Sequence, residues 1–408
     1  MSTTSFPRDR IRITLLENIH PIAAETLQER GYTVEVIPRA IEGDELRAVM
    51  EASHILGVRS RTKVREEHLK HARRMLAIGC LSVGTDQVSI QDAAKRGIPV
   101  FNAPHASTRS VAELTFGAVI ALARRLGDKS SALHARRWDK SLAGAHEVRG
   151  RSIGIIGYGH IGQQVGLLAE AFGMRVLFHD IVKKLPLGLA RPLATLDALL
   201  EEADFVTLHV PETPRTVALI GQPQLARMRK GSYLLNLSRG NIVDTAALRE
   251  ALGSGHLAGA ALDVFPKEPT PTVTEFDVGF GDLPNVILTP HVGGNTEEAQ
   301  RSIGIEVADA LGEFIDRGST EGAVNFPQVN LPARPDTHRI LNIHHNVPGV
   351  LAAVNNIVSE IGANIEAQQL ATTRDIGYLV MDVNHELSDE VHSRISALPM
   401  SVRTRILY

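Results

Sequence analysis

One stretch, Gly157-Tyr158-Gly159-His160-Ile161-Gly162, constrains this chain more than any other. The apolar run Ser152 to Ile156 leads into it and a helical pattern continues to Gly173. The next apolar run, Arg175 to His179, stops at Asp180, 18 positions after Gly162. Three glycines at this spacing arise by chance in many chains. A strand, a glycine turn, a helix and a strand-end carboxylate in that order specify a dinucleotide-binding (Rossmann) unit. Gly157 permits the tight turn, Gly159 lets a pyrophosphate reach the backbone, and Gly162 lets the helix pack on the sheet, while the helix N-terminus supplies amide donors. Asp180 is placed to accept hydrogen bonds from the ribose hydroxyls and to repel a 2′-phosphate, so NAD is the expected cofactor. Lys183 and Lys184 leave NADP as the less favoured alternative.

The remaining pattern supplies the frame. Ile11 to Leu16, Tyr32 to Ile37, His54 to Val58, Met75 to Ile78 and Pro99 to Phe101 read as strands separated by helices, which implies a first parallel sheet. A helix over Ser110 to Arg125 precedes the glycine turn. Strands at Phe205 to Val210, Tyr233 to Leu237, Gly259 to Val264 and Val286 to Thr289 continue a second parallel sheet. The helical pattern Thr296 to Arg317 is long enough to return the chain to the first domain. Beyond a proline-stiffened linker, residues 338–408 read strand, helix, strand, strand, helix, strand, the ferredoxin-like βαββαβ order. Val350, Leu351, Val354, Ile357, Val358 and Ile361 are spaced as one apolar helix face. The expected class is α/β: two Rossmann-like or flavodoxin-like parallel-sheet domains and a ferredoxin-like third. The boundaries are 1–104 with 295–326, 105–294, a linker at 327–337, and 338–408.

Composition excludes other classes. At 408 residues the chain exceeds one compact core, and 43% hydrophobic with 22% charged residues is the balance of a globular protein. Forty-three Lys and Arg against 46 Asp and Glu leave a net charge of -3, too balanced for a general nucleic-acid or anionic-membrane binder. The one cysteine, Cys80, forms no internal disulfide and has no metal-ligand spacing, so no metal is expected and a reducing cytoplasm suits it. Residues 1–12 carry no apolar signal core, and no apolar run reaches the ~18 residues of a membrane span.

Three polar residues stand just past strand ends in the second domain: Arg239, Glu268 and His291. In a parallel sheet such positions converge on one crevice. Removing hydride from a hydroxyl carbon requires a base for the hydroxyl proton, and an imidazole made more basic by a carboxylate serves near neutral pH. A planar guanidinium holds a substrate carboxylate in two-point fashion. Each residue alone suits a structural ion pair; together, behind a dinucleotide turn, they favour chemistry. In the first domain, strand ends place Arg59, Ser60 and Arg61, and Val83, Gly84 and Asp86, beside the ligand crevice.

These residues resemble the D-isomer-specific 2-hydroxyacid dehydrogenases over nearly the whole chain. The resemblance rests on Val58-Arg59-Ser60-Arg61-Thr62, Gly79-Cys80 with Val83-Gly84-Thr85-Asp86, Phe101-Asn102-Ala103-Pro104, Ser110-Val111-Ala112-Glu113, the glycine turn and the three catalytic segments. It implies His291 as acid/base, Glu268 as its partner and Arg239 as carboxylate ligand. It also implies cofactor contacts by Gly157, Gly159, His160, Ile161, Gly162, Asp180, Leu237, Ser238, Arg239, Asp263 and the segment His291, Val292, Gly293 and Gly294. Within the family the chain is most like members that oxidise 3-phospho-D-glycerate with NAD to 3-phosphohydroxypyruvate, the first step of L-serine synthesis. The first domain then binds substrate, with Arg59, Ser60, Arg61, Val83 and Gly84 as contacts and Arg39 and Lys140 as further candidates for its phosphate. The last domain becomes an ACT domain in which His344, Asn346 and Asn364, expected near one another, bind the feedback inhibitor L-serine between paired ACT units of a homotetramer. The sequence departs from the family pattern where Ala333-Arg334-Pro335-Asp336-Thr337 replaces a glycine pair, implying a stiffer hinge, and at Ser107 and Leu237 on the pocket rim. Two other readings stay open: a glyoxylate, hydroxypyruvate or 2-oxoglutarate reductase on the same scaffold, and an NADH-sensing corepressor.

Overall fold

In the computed structural model, residues 6–269 and 275–407 are described. The first alternating series builds β1 (Arg12–Leu16), α1 (Ile22–Glu29), β2 (Thr33–Ile37), α2 (Gly43–Ala52), β3 (Ile55–Val58), α3 (Glu66–Leu69), β4 (Ala77–Cys80), α4 (Ile90–Lys95) and β5 (Val100–Phe101). The strands pair in parallel in the order β2-β1-β3-β4-β5, the flavodoxin-like arrangement. β4 starts two residues later than the apolar pattern suggests. A turn in which the Met75 N–H donates to the Ala72 carbonyl delays the ladder until Ala77 meets Ile55.

A second compact unit spans Ser107–Ala299. It holds α5 (Thr108–Ala123), α6 (Leu126–His134), β6 (Ser152–Ile156), α7 (His160–Ala171), β7 (Arg175–His179), β8 (Arg191–Pro192), α8 (Leu196–Glu202), β9 (Phe205–Leu208), α9 (Gln222–Arg227), β10 (Ser232–Asn236), α10 (Thr245–Gly253), β11 (Leu257–Leu262) and β12 (Val286–Leu288). Its seven-stranded parallel sheet runs β12-β11-β10-β9-β6-β7-β8. From β6 the chain winds outward to β7, then returns to the other side at β9. The carboxyl end of β6 is therefore the topological switch point, where open α/β sheets bind ligands.

α11 (Glu297–Arg317) returns the chain to the first unit, which comprises Met1–Ala106 and Gln300–Tyr408. Ile303, Val307, Leu311 and Phe314 recur at helical spacing and are buried against the first sheet, with Val307 and Leu311 filling the space above Gly79. β13 (Thr337–His345), α12 (Val350–Ile361), β14 (Ile365–Thr372), β15 (Ile376–Asn384), α13 (Ser388–Ser396) and β16 (Ser401–Leu407) complete the ferredoxin-like order. The sheet runs β14-β15-β13-β16, its three pairings all antiparallel. One face packs on Val354, Ile357 and Val358 of α12 and on Val391 and Ile395 of α13. Leu351, expected in the same stripe, is instead exposed. On the other face Leu341, Ile343, Tyr378 and Val380 join the core that contains Phe314 and Phe326.

The linker is packed rather than free. Val329 is buried, donates its N–H to Thr320 Oγ1 at 3.0 Å and accepts the Thr320 N–H at 2.9 Å. Arg339 clamps it. This fully buried guanidinium pairs with Asp382 at 2.7 and 2.8 Å and donates to the carbonyls of Arg317, Leu331 and Pro332 at 2.8–3.0 Å. One side chain thus fastens the end of α11, the linker and the last sheet together.

Candidate active site

The glycine turn sits at the carboxyl end of β6. Gly157 has φ +90°, a conformation open to glycine, and its N–H donates to the His179 carbonyl at 2.9 Å. A Cβ on Gly162 would collide with the Gly157 carbonyl, so only glycine lets α7 start this close to the turn. Space above Gly159 is open, and Gly159, the residue that caps α7, has no side chain to cover the helix start. Asp180, just past β7, accepts the N–H groups of Tyr158 and Val182, both at 2.9 Å. Ile161 packs against the unit's core. An open glycine cradle at a helix start and a strand-end carboxylate fit a dinucleotide.

The second constellation forms on neighbouring strand ends of the same sheet. After β12, His291 adopts a left-handed φ of 54°. Asp263, buried just beyond β11, enforces this turn by accepting the N–H groups of Val292 and Gly293 at 2.9 and 2.8 Å and the Thr289 hydroxyl at 2.5 Å. Its carboxylate oxygens are thereby engaged in holding the histidine loop. The His291 ring is about half exposed, at 48%, and its Nδ1–H donates to both carboxylate oxygens of Glu268 at 2.9 Å. Because a carboxylate only accepts, Nδ1 carries the proton, and in the neutral ring the lone pair is on Nε2. The hydrogen bond to Glu268 raises the imidazole pKa above its usual range, with the charges of Glu268 and Asp263 adding to it against burial and the nearby Arg239. Burial, the largest single influence, pushes the Glu268 carboxyl up, but the hydrogen bond and charge of His291, the Phe265 N–H and the charge of Arg239 together bring the net shift downward.

Arg239 lies beyond β10, close enough that its charge acts on both partners. Its Nη1 donates to the Ser238 carbonyl at 2.7 Å. Asn236, which carries no motif of its own in the sequence, shapes this turn: its Nδ2 donates to the Arg239 carbonyl at 2.9 Å and its Oδ1 accepts from the Ser238 hydroxyl at 2.9 Å. Leu237 is buried behind it. The second sheet thus brings His291, Glu268 and Arg239 together.

In the first unit, Arg59, Ser60 and Arg61 come after β3, and Val83 and Gly84 after the adjacent β4, so both loops lie at one sheet edge. Glu17, another residue that residue order does not single out, organises the first loop. Its buried carboxylate accepts the N–H groups of Arg59, Ser60, Arg61 and Thr62 at 2.9–3.2 Å, and its own backbone is left-handed at φ 70°. The only cue in the sequence is an acidic residue directly after an apolar strand. Val83 and Gly84 accept hydrogen bonds through their carbonyls from Asn102 and Ser82. Arg39 is instead held by an ion pair with Glu45 across the start of α2. Burial pushes the Cys80 thiol up to about 12, which removes it from thiolate chemistry.

In the last sheet, His344 is buried and hydrogen-bonded through Nδ1 to Asn342 Oδ1 at 3.0 Å, while Asn346 donates to the Thr373 carbonyl at 2.8 Å. The expectation that Asn364 lies beside them within one unit is corrected. Antiparallel register aligns His344 with Gly377, whereas the Asn364 N–H donates to Asn384 at the far end of β15. Seven residues of strand separate the two levels, roughly 20 Å at the rise of a β-strand.

Residues 116–293 match the family described as D-isomer specific 2-hydroxyacid dehydrogenase, NAD binding domain, and residues 340–402 match the AHAS small subunit-like ACT domain. The chain is 52% identical over its full length, and 99% of the relative's, to a protein of Dictyostelium discoideum named D-3-phosphoglycerate dehydrogenase. It is 46% identical, over all of both chains, to the Escherichia coli (strain K12) protein of the same name. Among solved structures, a D-lactate dehydrogenase from Aquifex aeolicus complexed with NAD and lactic acid superposes with a TM-score of 0.67 at 29% identity, covering 77% of this chain and all of that one. The TT0316 protein of Thermus thermophilus gives 0.66 at 36% identity, covering 75% of this chain and 96% of that one. With its glycine cradle, its strand-end polar groups and these full-length relatives, the chain belongs to the D-isomer specific 2-hydroxyacid dehydrogenases and is an NAD-dependent oxidoreductase.

Proposed function

We propose that this enzyme oxidises 3-phospho-D-glycerate to 3-phosphohydroxypyruvate, the first step of L-serine synthesis, and that L-serine inhibits it. The chemistry is carried by one observation, the His291 imidazole hydrogen-bonded to Glu268 with Arg239 alongside. The substrate is supported by relatives named for it over the full length of the chain. NAD, when bound, supplies the hydride acceptor. Residues 105–294 bind it, Asp180 receiving the ribose and the amides after Gly159 the pyrophosphate. His291 Nε2 takes the hydroxyl proton, Glu268 stabilises the imidazolium that results, and Arg239 fixes the substrate carboxylate. Asp263 and the backbone of Leu237, Ser238 and residues 292–294 line the cofactor side, with His160 and Ile161 at the helix start. Residues 1–104 and 295–326 bind substrate, Arg59, Ser60 and Arg61 holding the phosphate with Val83 and Gly84 beside it, in a reducing cytoplasm.

L-Serine is assigned to His344 and Asn346 of one ACT unit (338–408) and Asn364 of a second copy, since a single unit separates them. Edge pairing through β14, whose outer side is open, supplies that contact. A second contact is assigned to the exposed apolar residues Leu126, Leu133, Trp138 and Leu142 of the nucleotide unit, giving a homotetramer. Initial rates with 3-phosphoglycerate, glycolate and D-glycerate, each repeated with added L-serine, test the reading. The first substrate should dominate and serine should slow it. Preference for glycolate or D-glycerate would reject the substrate, and unaltered rates in serine would reject the inhibitor alone.

A further inference from the structure

A cleft of about 1090 Å³ opens in the first unit between the last sheet and the amino ends of β1, β3 and β4. It lies at the opposite edge of the first sheet from the Arg59 to Arg61 loop, which extends from a strand's carboxyl end. Seven arginines line it against two aspartates. Asp316 is already engaged by Arg8, Arg30 and the Tyr32 hydroxyl. Among the described residues, neither Arg10, Arg12, Arg73 nor Arg74 forms an ion pair with a carboxylate, and neither does Arg403 or Arg405 of β16.

The two β16 guanidiniums are nonetheless fixed in place. Arg405 donates to the Ile315 carbonyl at 3.0 Å and lies over the Phe314 ring, and Arg403 reaches the carbonyls of Met75 and Arg73. Carbonyls orient these cations without neutralising them. Burial lowers the Arg403 pKa to about 10, with Arg405 adding to the shift, and the charges of Arg74 and Arg12 help burial to lower that of His54. Positive potential therefore accumulates in a partly desolvated cleft, where an anion interacts most strongly. Planar guanidiniums match phosphate oxygens in two-point fashion. Ile11, Leu76, Ile406 and the Phe6–His54 ring pair add apolar wall, and the volume exceeds that of a lone phosphate ion.

We propose that this cleft is a binding site for a small phosphate-bearing anion, distinct from the substrate loops, which bridges β16 of the ACT sheet to the amino ends of the first sheet's strands. A bound anion fastens the regulatory sheet to its neighbour, so its occupancy alters how firmly the two are joined. Inorganic and organic phosphates share the recognised group, and two probes distinguish them: pyrophosphate, and phenyl phosphate with its apolar body. Each is titrated calorimetrically into the full-length protein with NAD present at saturation, and into Arg10→Ser/Arg74→Ser, whose altered side chains are exposed and outside the catalytic machinery. Of the binding seen, one site per chain should weaken about tenfold or more in the double variant, and that site should weaken again as salt rises from ~0.05 to ~0.3 M. Tighter phenyl phosphate assigns an organic ligand, tighter pyrophosphate an inorganic one. Equal affinity in parent and variant, or neither heat nor a thermal shift at about 10 mM probe, overturns the site.

Discussion

At the scale of single residues, the proposed reaction turns on one imidazole. Hydrogen bonding to Glu268 raises the His291 pKa, so the ring stays protonated to higher pH than an ordinary histidine, whose value is ~6.5. In the proposed role of base it must be neutral, and oxidation should therefore rise with pH through that raised value. Replacing Glu268 with Gln removes the charge that stabilises the imidazolium, and the rising limb should move toward lower pH as the plateau rate falls. His291→Ala should cost about 10²–10⁴ in kcat. A pH–rate profile of both variants reads this, and a Glu268→Gln limb at the parent position would refute the pairing. Stability runs the other way: a raised folded-state value favours the native state below the unfolded pKa, and that contribution is lost as pH rises through the folded one.

At the scale of elements, loops at strand ends are shaped by carboxylates whose loop-holding role residue order does not show. Glu17 gathers four consecutive amides after β3, and Asp263 gathers two after β12. A carboxylate accepts through both oxygens, whereas an amide presents one acceptor and an NH2 that opposes the backbone donors. Glu17→Gln should therefore loosen the Arg59 to Arg61 loop, raising KM for the phosphorylated substrate about tenfold, with KM for NAD unchanged. Steady-state kinetics for the two substrates separate this from general damage, which would shift both values together. The glycine turn differs from these loops, for its requirements are local, and local requirements are legible in residue order. Strands β1 to β3, β6 and β7 are likewise readable to within a residue because their apolar runs are bounded by turn residues. β8, two residues long and containing Pro192, has no such run.

At the scale of the whole molecule, Arg339 stands in β13, just past the segment that the sequence suggests is a stiff hinge without glycines. Its guanidinium is fully buried and joins α11, the linker and the ACT sheet through Asp382 and three carbonyls. Removing one member of a buried pair leaves its partner charged and unsatisfied, at a cost of about 3–5 kcal/mol. Arg339→Ala should show that loss in urea unfolding of the domain pair, while Arg334→Ala, on the exposed linker surface, should unfold like the parent. Equal stability of Arg339→Ala and the parent would show that the clamp holds nothing. The proposed tetramer belongs to the same scale, because one unit holds Asn364 and His344 apart and the proposal has them meet across two copies.

Residue order by itself determined the α/β class, the dinucleotide cradle and the placing of His291, Glu268 and Arg239 just past strand ends, since each depends on short-range periodicity or on the residues that follow a strand. Only the tertiary structure decided which carboxylates hold the loops, that Arg39 is tied to Glu45, that Asn364 stands a strand's length from His344, and that arginines from residues 8 to 405 share one cleft. The physical reason is reach: hydrogen bonds and charge act across a few ångströms of space, and sequence separation carries no record of that distance until the chain has packed.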